Sequence, residues 1–209
     1  MKRLLTLALL AALGAPSMAQ WGLRATILHF ETPAPRGTWN FLAGLDHDLN
    51  DRMAVGLDFT VAFNLFGEPE AEQGEYEGYL VDYALQRKVM GLTYRSCYFF
   101  SDNDNGASAY VGPFIGFRRI TYDLAPYVTT FYGLDQPAWA RPVSEETIVF
   151  PVGMRFGFRG ALDGYSGDIY VGVGTTLGDK DMPNAPYLLK KDRLGGLFLQ
   201  AGYSYGIGW

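Results

Sequence analysis

Residues 148–159, IVFPVGMRFGFR, alternate without a break. Ile148, Phe150, Val152, Met154, Phe156 and Phe158 fall on one side, and Val149, Pro151, Gly153, Arg155, Gly157 and Arg159 on the other. A period of two belongs to a β-strand with two unlike faces. In a water-soluble barrel the large apolar face would turn inward and the outer face would be polar. Here the second face is glycine with occasional arginine, which suits a narrow lumen crowded by long polar side chains and is a poor choice for a solvated exterior. The greasy face is therefore assigned to lipid. The pattern recurs over 53–64, 168–177 and 196–209 and, less regularly, over 21–30, 37–46, 88–100 and 108–120, which makes about eight strands.

The connections carry a second, independent signal. Those at 45–52, 101–108 and 161–168 are short and rich in Asp, Asn and Gly, as tight hairpins require. The others fall at 31–36, 65–85, 121–146 and 178–193, and three of them are long. Alternating short and long connections predict an all-β fold: a closed up-and-down antiparallel transmembrane barrel, with short periplasmic turns and long extracellular loops. Closure is a physical requirement, because an open sheet edge in hydrocarbon leaves amides unpaired at several kcal/mol each.

The first residues read as an address. Lys2 and Arg3 precede an apolar stretch from Leu4 to Leu13, then Gly14 and Pro16, then Ser17-Met18-Ala19. This is the layout of a cleaved secretory signal peptide over 1–19, leaving the barrel as 20–209; the apolar run is shorter than the ~20 residues of a spanning helix. Its removal takes away Lys2 and Arg3 and leaves 15 basic against 22 acidic residues. With no basic run, nucleic acid is excluded as a partner. One cysteine, Cys97, permits no internal disulfide, and two histidines, His29 and His47, leave little for a metal site; no cofactor is expected.

The last strand, LFLQAGYSYGIGW, ends the chain on an aromatic residue behind alternating apolar ones. It resembles the C-terminal signal of bacterial outer-membrane β-barrels, matching at Tyr203, Tyr205, Ile207 and Trp209 and departing in Trp where Phe is commoner. With the signal peptide and the strand count, the chain from 20 onward resembles the small eight-stranded barrels of the OmpX and OmpA membrane-domain type. The resemblance implies insertion by the barrel-assembly machinery, contact with outer-membrane lipids and lipopolysaccharide, and no segment for a peptidoglycan-binding domain.

Strand parity places Arg24, Asp58, Arg95, Arg118, Arg155, Arg159 and Gln200 in the lumen. An eight-stranded barrel is only wide enough for side chains to fill it, so these form a polar plug. Counting from the short turns sets Asp58 beside Arg95 and predicts a salt bridge. The excess of arginine would draw anions if the plug opened, which keeps a small pore or transport barrel as the alternative function. Cys97 is a small lumen filler. Trp21, Trp39, Tyr98 and Phe100 are candidates for interfacial aromatic girdles. Glu68, Glu70, Glu72, Glu75 and Glu77 make an acidic loop that could hold divalent cations or simply be solvated. Tyr122, Tyr127, Phe131, Tyr132 and Trp139, set among Pro126, Pro137 and Pro142, make 121–146 the candidate surface-recognition loop for a protein or glycan ligand. Rings that pack on the barrel rim are the competing account of the same pattern. His29 falls on the lipid parity, away from any nucleophile, so a lipid-modifying enzyme is not expected; a lipocalin-like soluble barrel would need the two faces exchanged. The expected function is a non-enzymatic outer-membrane barrel that serves the envelope or surface interaction.

Overall fold

A computed structural model describes residues 21–31, 39–63, 70–76, 79–101, 106–128, 142–162, 165–178 and 196–207. The proposed signal peptide, Glu68, Glu77, Phe131, Tyr132, Trp139 and Trp209 lie outside them. Among the described residues nine strands follow one another: β1 Trp21–Glu31, β2 Trp39–Asn50, β3 Met53–Phe63, β4 Glu70–Tyr76, β5 Tyr79–Phe99, β6 Ala107–Val128, β7 Val143–Leu162, β8 Tyr165–Gly178 and β9 Gly196–Ile207. All pairings are antiparallel between neighbours in this order, except that β3 pairs with β5 and β1 closes on β9. β3 and β4 both run antiparallel to β5, β3 along Val89–Tyr98 and β4 along Tyr79–Leu85, so they follow one another up the same stave. The wall is thus a closed eight-stave barrel.

Outward residues set the span. On β7 the apolar ones run from Ile148 to Phe158, on β6 from Ala109 to Phe117 and on β8 from Ile169 to Leu177, all exposed or half-buried. Each stretch matches the roughly 9–11 residues a tilted strand needs to cross a bilayer. Above it, at the end where the long connections lie, polar pairs take over the outer face. Arg119 binds Glu146 with both Nε and Nη2, and Lys88 Nζ donates to Asp123 at 2.9 Å. Hydrogen bonds from Lys88 and Ser144 hold the Asp123 carboxyl below the usual carboxylate range.

The two ends differ in height. At the turn end, β2 and β3 are joined through Asp51–Arg52 alone, tightened by Arg52 N–H donating to Asn50 Oδ1 at 2.9 Å. The connection expected over 45–52 is therefore mostly strand. At the other end β5 has 21 residues, β6 has 22 and β7 has 20, about twice what crossing requires, whereas β1 has 11 and β9 has 12. Within the segments 65–85 and 121–146, expected as loops, residues 70–76, 79–85 and 121–128 are strand residues of β4, β5 and β6 that rise above the rim, and 143–146 open β7. Sequence alternation weakens there because neither face meets hydrocarbon.

Candidate functional site

The lumen is where the chemistry-bearing side chains converge. Arg24, Asp58, Arg95, Arg118, Arg155, Arg159 and Gln200 are all buried in it. Asp58, on β3, accepts from three guanidiniums: Arg24 Nη2, Arg95 Nε at 3.2 Å and Arg155 Nη1 at 3.2 Å. The contact with Arg95 is the pair that strand counting predicts. Arg155 also donates to Gln200 Oε1 at 2.9 Å. Arg95 Nη1 reaches the Sγ of buried Cys97 at 3.3 Å.

Three carboxylates that sequence reasoning left out of the network share its charge. Asp46 accepts from Arg95 Nη2 and from Arg159 Nη2 at 3.0 Å. Asp168 accepts from Arg24 Nη1 at 2.8 Å and from the Tyr110 hydroxyl at 2.9 Å. Glu31 takes Arg118 in a bidentate grip, Nε at 2.7 Å and Nη2 at 2.8 Å. Among the described residues, five buried arginines thus meet four buried carboxylates. The expected arginine excess is corrected to near balance. Asp46 and Asp168 had been assigned to turn segments, although Asp168 already held the lumen parity of its strand.

Aromatic rings complete the filling. The Arg155 guanidinium lies over the Tyr170 ring at 4.3 Å and that of Arg159 over Phe99 at 5.2 Å, with Phe99 against Tyr110 and Phe114 against Phe198. Glycines opposite the longest side chains leave the room they need. A Cβ on Gly56 would meet Asp46 and the Arg95 guanidinium, and one on Gly91 would meet the Arg118 side chain. This is the physical reason for the alternation of glycine with arginine.

His29 departs from the sequence reading. Thr26 pairs with Ser204 and Leu28 with Tyr203, so Ile27 is an extra residue in β1. Such a β-bulge reverses side-chain parity beyond it. Ile27 and Leu28 both face outward, 63% and 65% exposed, and His29 and Glu31 turn into the lumen. His29 Nδ1 lies 2.9 Å from the Tyr170 hydroxyl and Nε2 lies 3.2 Å from Glu31 Oε2. The lipid-facing assignment of His29 is therefore corrected. A one-residue bulge has no local sequence mark in ATILHFE, and the only hint was that strict alternation would set Glu31 in lipid or end the strand before it.

Tyr122 is also corrected. It is a strand residue of β6, 1% exposed on the lumen side, and not an exposed loop ring. Tyr127 is a β6 residue opposite Asp82. Of the girdle candidates, Trp21, Tyr98 and Phe100 are exposed on the outer wall at the turn end, where Tyr165 stacks on Tyr205 at 5.7 Å and Trp21 on His47 at 4.3 Å. Trp39 pairs with Phe63 at the opposite end of the wall. Tyr203, Tyr205 and Ile207 point outward on β9, the closing strand. The backbone of Glu70, Glu72 and Glu75 lies in β4.

No family model matches the chain, and no curated protein matches it. Among solved structures it is similar to Neisserial surface protein A, with 11% identity and a TM-score of 0.49 over 91% of this chain and 96% of that one. It is also similar to Ail, the attachment invasion locus protein of Yersinia pestis, with 10% identity and a TM-score of 0.43 over 90% and 97%. The N-terminal β-barrel domain of Pseudomonas aeruginosa OprF gives 11% and 0.40 over 90% and 97%. These likenesses are of barrel form and extend no further. With its charges turned inward and its apolar side chains outward around eight staves, the chain is a closed up-and-down antiparallel β-barrel.

Proposed function

We propose that the protein is a non-enzymatic barrel of the bacterial outer membrane that acts by surface interaction, with the raised sheet of β4, β5 and β6 as its interacting element. The observation that carries this reading is the uneven height of the wall. β5 and β6 continue about as far again as a crossing requires, and they do so paired to each other, from Arg95↔Phe114 up to Val81↔Val128. A paired sheet held clear of the membrane has no role in spanning it. It offers a partner a surface that is already ordered, which lowers the entropy cost of recognition.

In this reading the short turns face the periplasm and the raised sheet faces outward. The chain reaches the outer membrane through a cleaved signal peptide, and Tyr203, Tyr205, Ile207 and Trp209 serve as its recognition segment for the assembly machinery. Outer-membrane lipids and lipopolysaccharide surround the apolar band. The ligand is an extracellular protein or glycan, met by β4–β6, Tyr127 of β6 among them, and by Phe131, Tyr132 and Trp139 farther along the chain. The filled lumen favours this over the pore: conduction would require breaking ion pairs held by buried Asp58, where a lost partner costs about 3–5 kcal/mol.

The test is a variant lacking residues 64–85, with Phe63 joined to Gln86 through a short glycine-serine turn. Cells displaying it should retain an outer-membrane band whose gel mobility shifts on boiling, and should lose adherence to immobilised host-surface proteins or glycans that the intact protein supports. Adherence undiminished by the deletion would reject the raised sheet as the interacting element. Steady ion conductance by the intact protein in planar bilayers would favour the pore instead.

A further inference from the structure

The bulge that turns His29 inward also divides the wall. Thr26 faces the lumen, as do its register partners Ser204 on β9 and Leu42 on β2. On the β9 side the ladder absorbs Ile27 by a shift of register, so outward Leu28 meets outward Tyr203 and pairing continues to Glu31↔Gln200. β2 makes no such shift. Continued in register, outward Leu28 would stand against Asn40, which shares the inward face of β2 with Leu42, and residues on opposite faces of the pleat do not pair. Among the described residues the β1–β2 ladder ends at Thr26↔Leu42, although both strands run on, β1 to Glu31 along β9 and β2 to Trp39 along β3.

The resulting split lies within the apolar band and opens toward the loop end. Ile27, Leu28 and Phe30 on β1 and Phe41 on β2 flank it on the outside, all exposed. Behind it, Ser204, Thr26, Leu42 and Thr60 follow one another across β9, β1, β2 and β3. Thr26, Thr60 and Ser204 are 7%, 0% and 0% exposed, and their hydroxyl oxygens have no hydrogen-bond partner within the protein. The same holds for the buried Oδ1 of Asn40, one inward position above Leu42.

Charges on this part of β1 are already committed. Glu31 holds Arg118 twice, His29 lies between Glu31 and Tyr170, and Arg24 reaches Asp58 and Asp168. What the split offers is therefore uncharged hydrogen bonding, at hydrocarbon depth, between large apolar side chains. Backbone at that depth needs partners other than bulk water. Hydroxyls and amides can donate to ester oxygens and accept from a lipid hydroxyl, whereas a phosphate or carboxylate would need an uncommitted cation.

We propose that the split between β1 and β2 is a lateral binding site for an ester-linked acyl lipid of the surrounding bilayer. The acyl chain lies along Ile27, Leu28 and Phe30, and the ester oxygens enter between the strands to reach Asn40 and, at the foot of the split, Thr26. The inference rests on the barrel spanning a membrane and adds a lipid held through the wall to those that surround it.

The full chain in nanodiscs of dimyristoylphosphatidylcholine tests the site. Methyl groups of Thr26 and Leu42, both on the lumen side, should give nuclear Overhauser contacts to glycerol and first-methylene protons of the lipid. Val149, buried on the lumen side of β7, should give none. Thr26→Val combined with Asn40→Leu removes the hydrogen-bonding groups at similar volume. Native mass spectrometry of protein released from the nanodiscs should show a retained phosphatidylcholine on the wild type and at least fivefold less on the double variant. If that variant does not fold, the wild-type methyl contacts decide. Contacts of Thr26 and Leu42 with water and protein alone, or equal lipid retention by wild type and variant, would overturn the site and leave the barrel in its membrane. A chain that does not enter nanodiscs would overturn the membrane reading and the site with it.

Discussion

The ionic cluster in the middle of the lumen and the one at its loop end use the same residue types but depend on the chain in different ways. In the middle, Asp58 serves Arg24, Arg95 and Arg155, Asp46 serves Arg95 and Arg159, and Asp168 serves Arg24 and Tyr110. Every arginine of this group reaches two carboxylates or a carboxylate and Gln200, Arg159 through Asp46 and Asp48. At the loop end one carboxylate, Glu31, holds Arg118 and His29, and it faces the lumen because the bulge takes up Ile27. A shared network tolerates the loss of a single contact; a chain hung on one bulge does not. The lumen thus combines a redundant central brace with a dependent outer chain.

Glu31→Ala is the largest perturbation this contrast predicts. It leaves buried Arg118 without its carboxylate and His29 without the acceptor beside it. Failure to accumulate a heat-modifiable band in the membrane fraction is expected, and normal accumulation would show that the outer chain is dispensable. Asp58→Ala comes next. It strands three guanidiniums around one vacancy and should cost about 3–5 kcal/mol in urea unfolding from lipid vesicles. A loss under about 1 kcal/mol would mean that Asp46, Asp168 and Gln200 absorb those arginines, making the middle more redundant than described.

Neighbouring residues on β7 sharpen the same contrast across the wall. Met154 is 40% exposed on the outside and Arg155 1% inside. Met154→Arg near mid-bilayer should cost about 2–4 kcal/mol by the same unfolding assay, although the residue next to it is already arginine. The smallest effect is expected above the lipid band. Lys88→Met removes an exposed partner of Asp123 and should change stability by about 0.5 kcal/mol or less. Because the Asp123 carboxyl is held below its usual range, what this pair contributes is present at neutral pH and is lost as pH falls through that lowered range.

Where strands contact lipid on one face and a packed lumen on the other, the residue alternation reported the structure directly. The faces of 148–159 and 196–207, the inward set from Arg24 to Gln200 and the pairing of Asp58 with Arg95 all followed from parity and turn counting. Three physical circumstances hid the rest. A bulge adds one residue without any change in composition, so His29 and Glu31 were assigned to the wrong side or to a loop. Aspartates near tight turns read as turn formers, yet Asp46 and Asp168 are strand residues paired to arginine. Strands that leave the bilayer lose the constraint that makes one face greasy, so the upper halves of β5 and β6, with Tyr122 among them, read as connection.

The central claim is that the wall is inverted, apolar outside and charged within. Single cysteines introduced at 148 through 159 in a Cys97→Ser background, spin-labelled in lipid vesicles, test it residue by residue. Collision with lipid-soluble oxygen should rise at 148, 150, 152, 154, 156 and 158 and fall at the positions between, with a water-soluble nickel reagent excluded from both sets. Accessibility to the nickel reagent at the even positions, with oxygen preferring none, would mean that those side chains face water and that the barrel does not span a membrane.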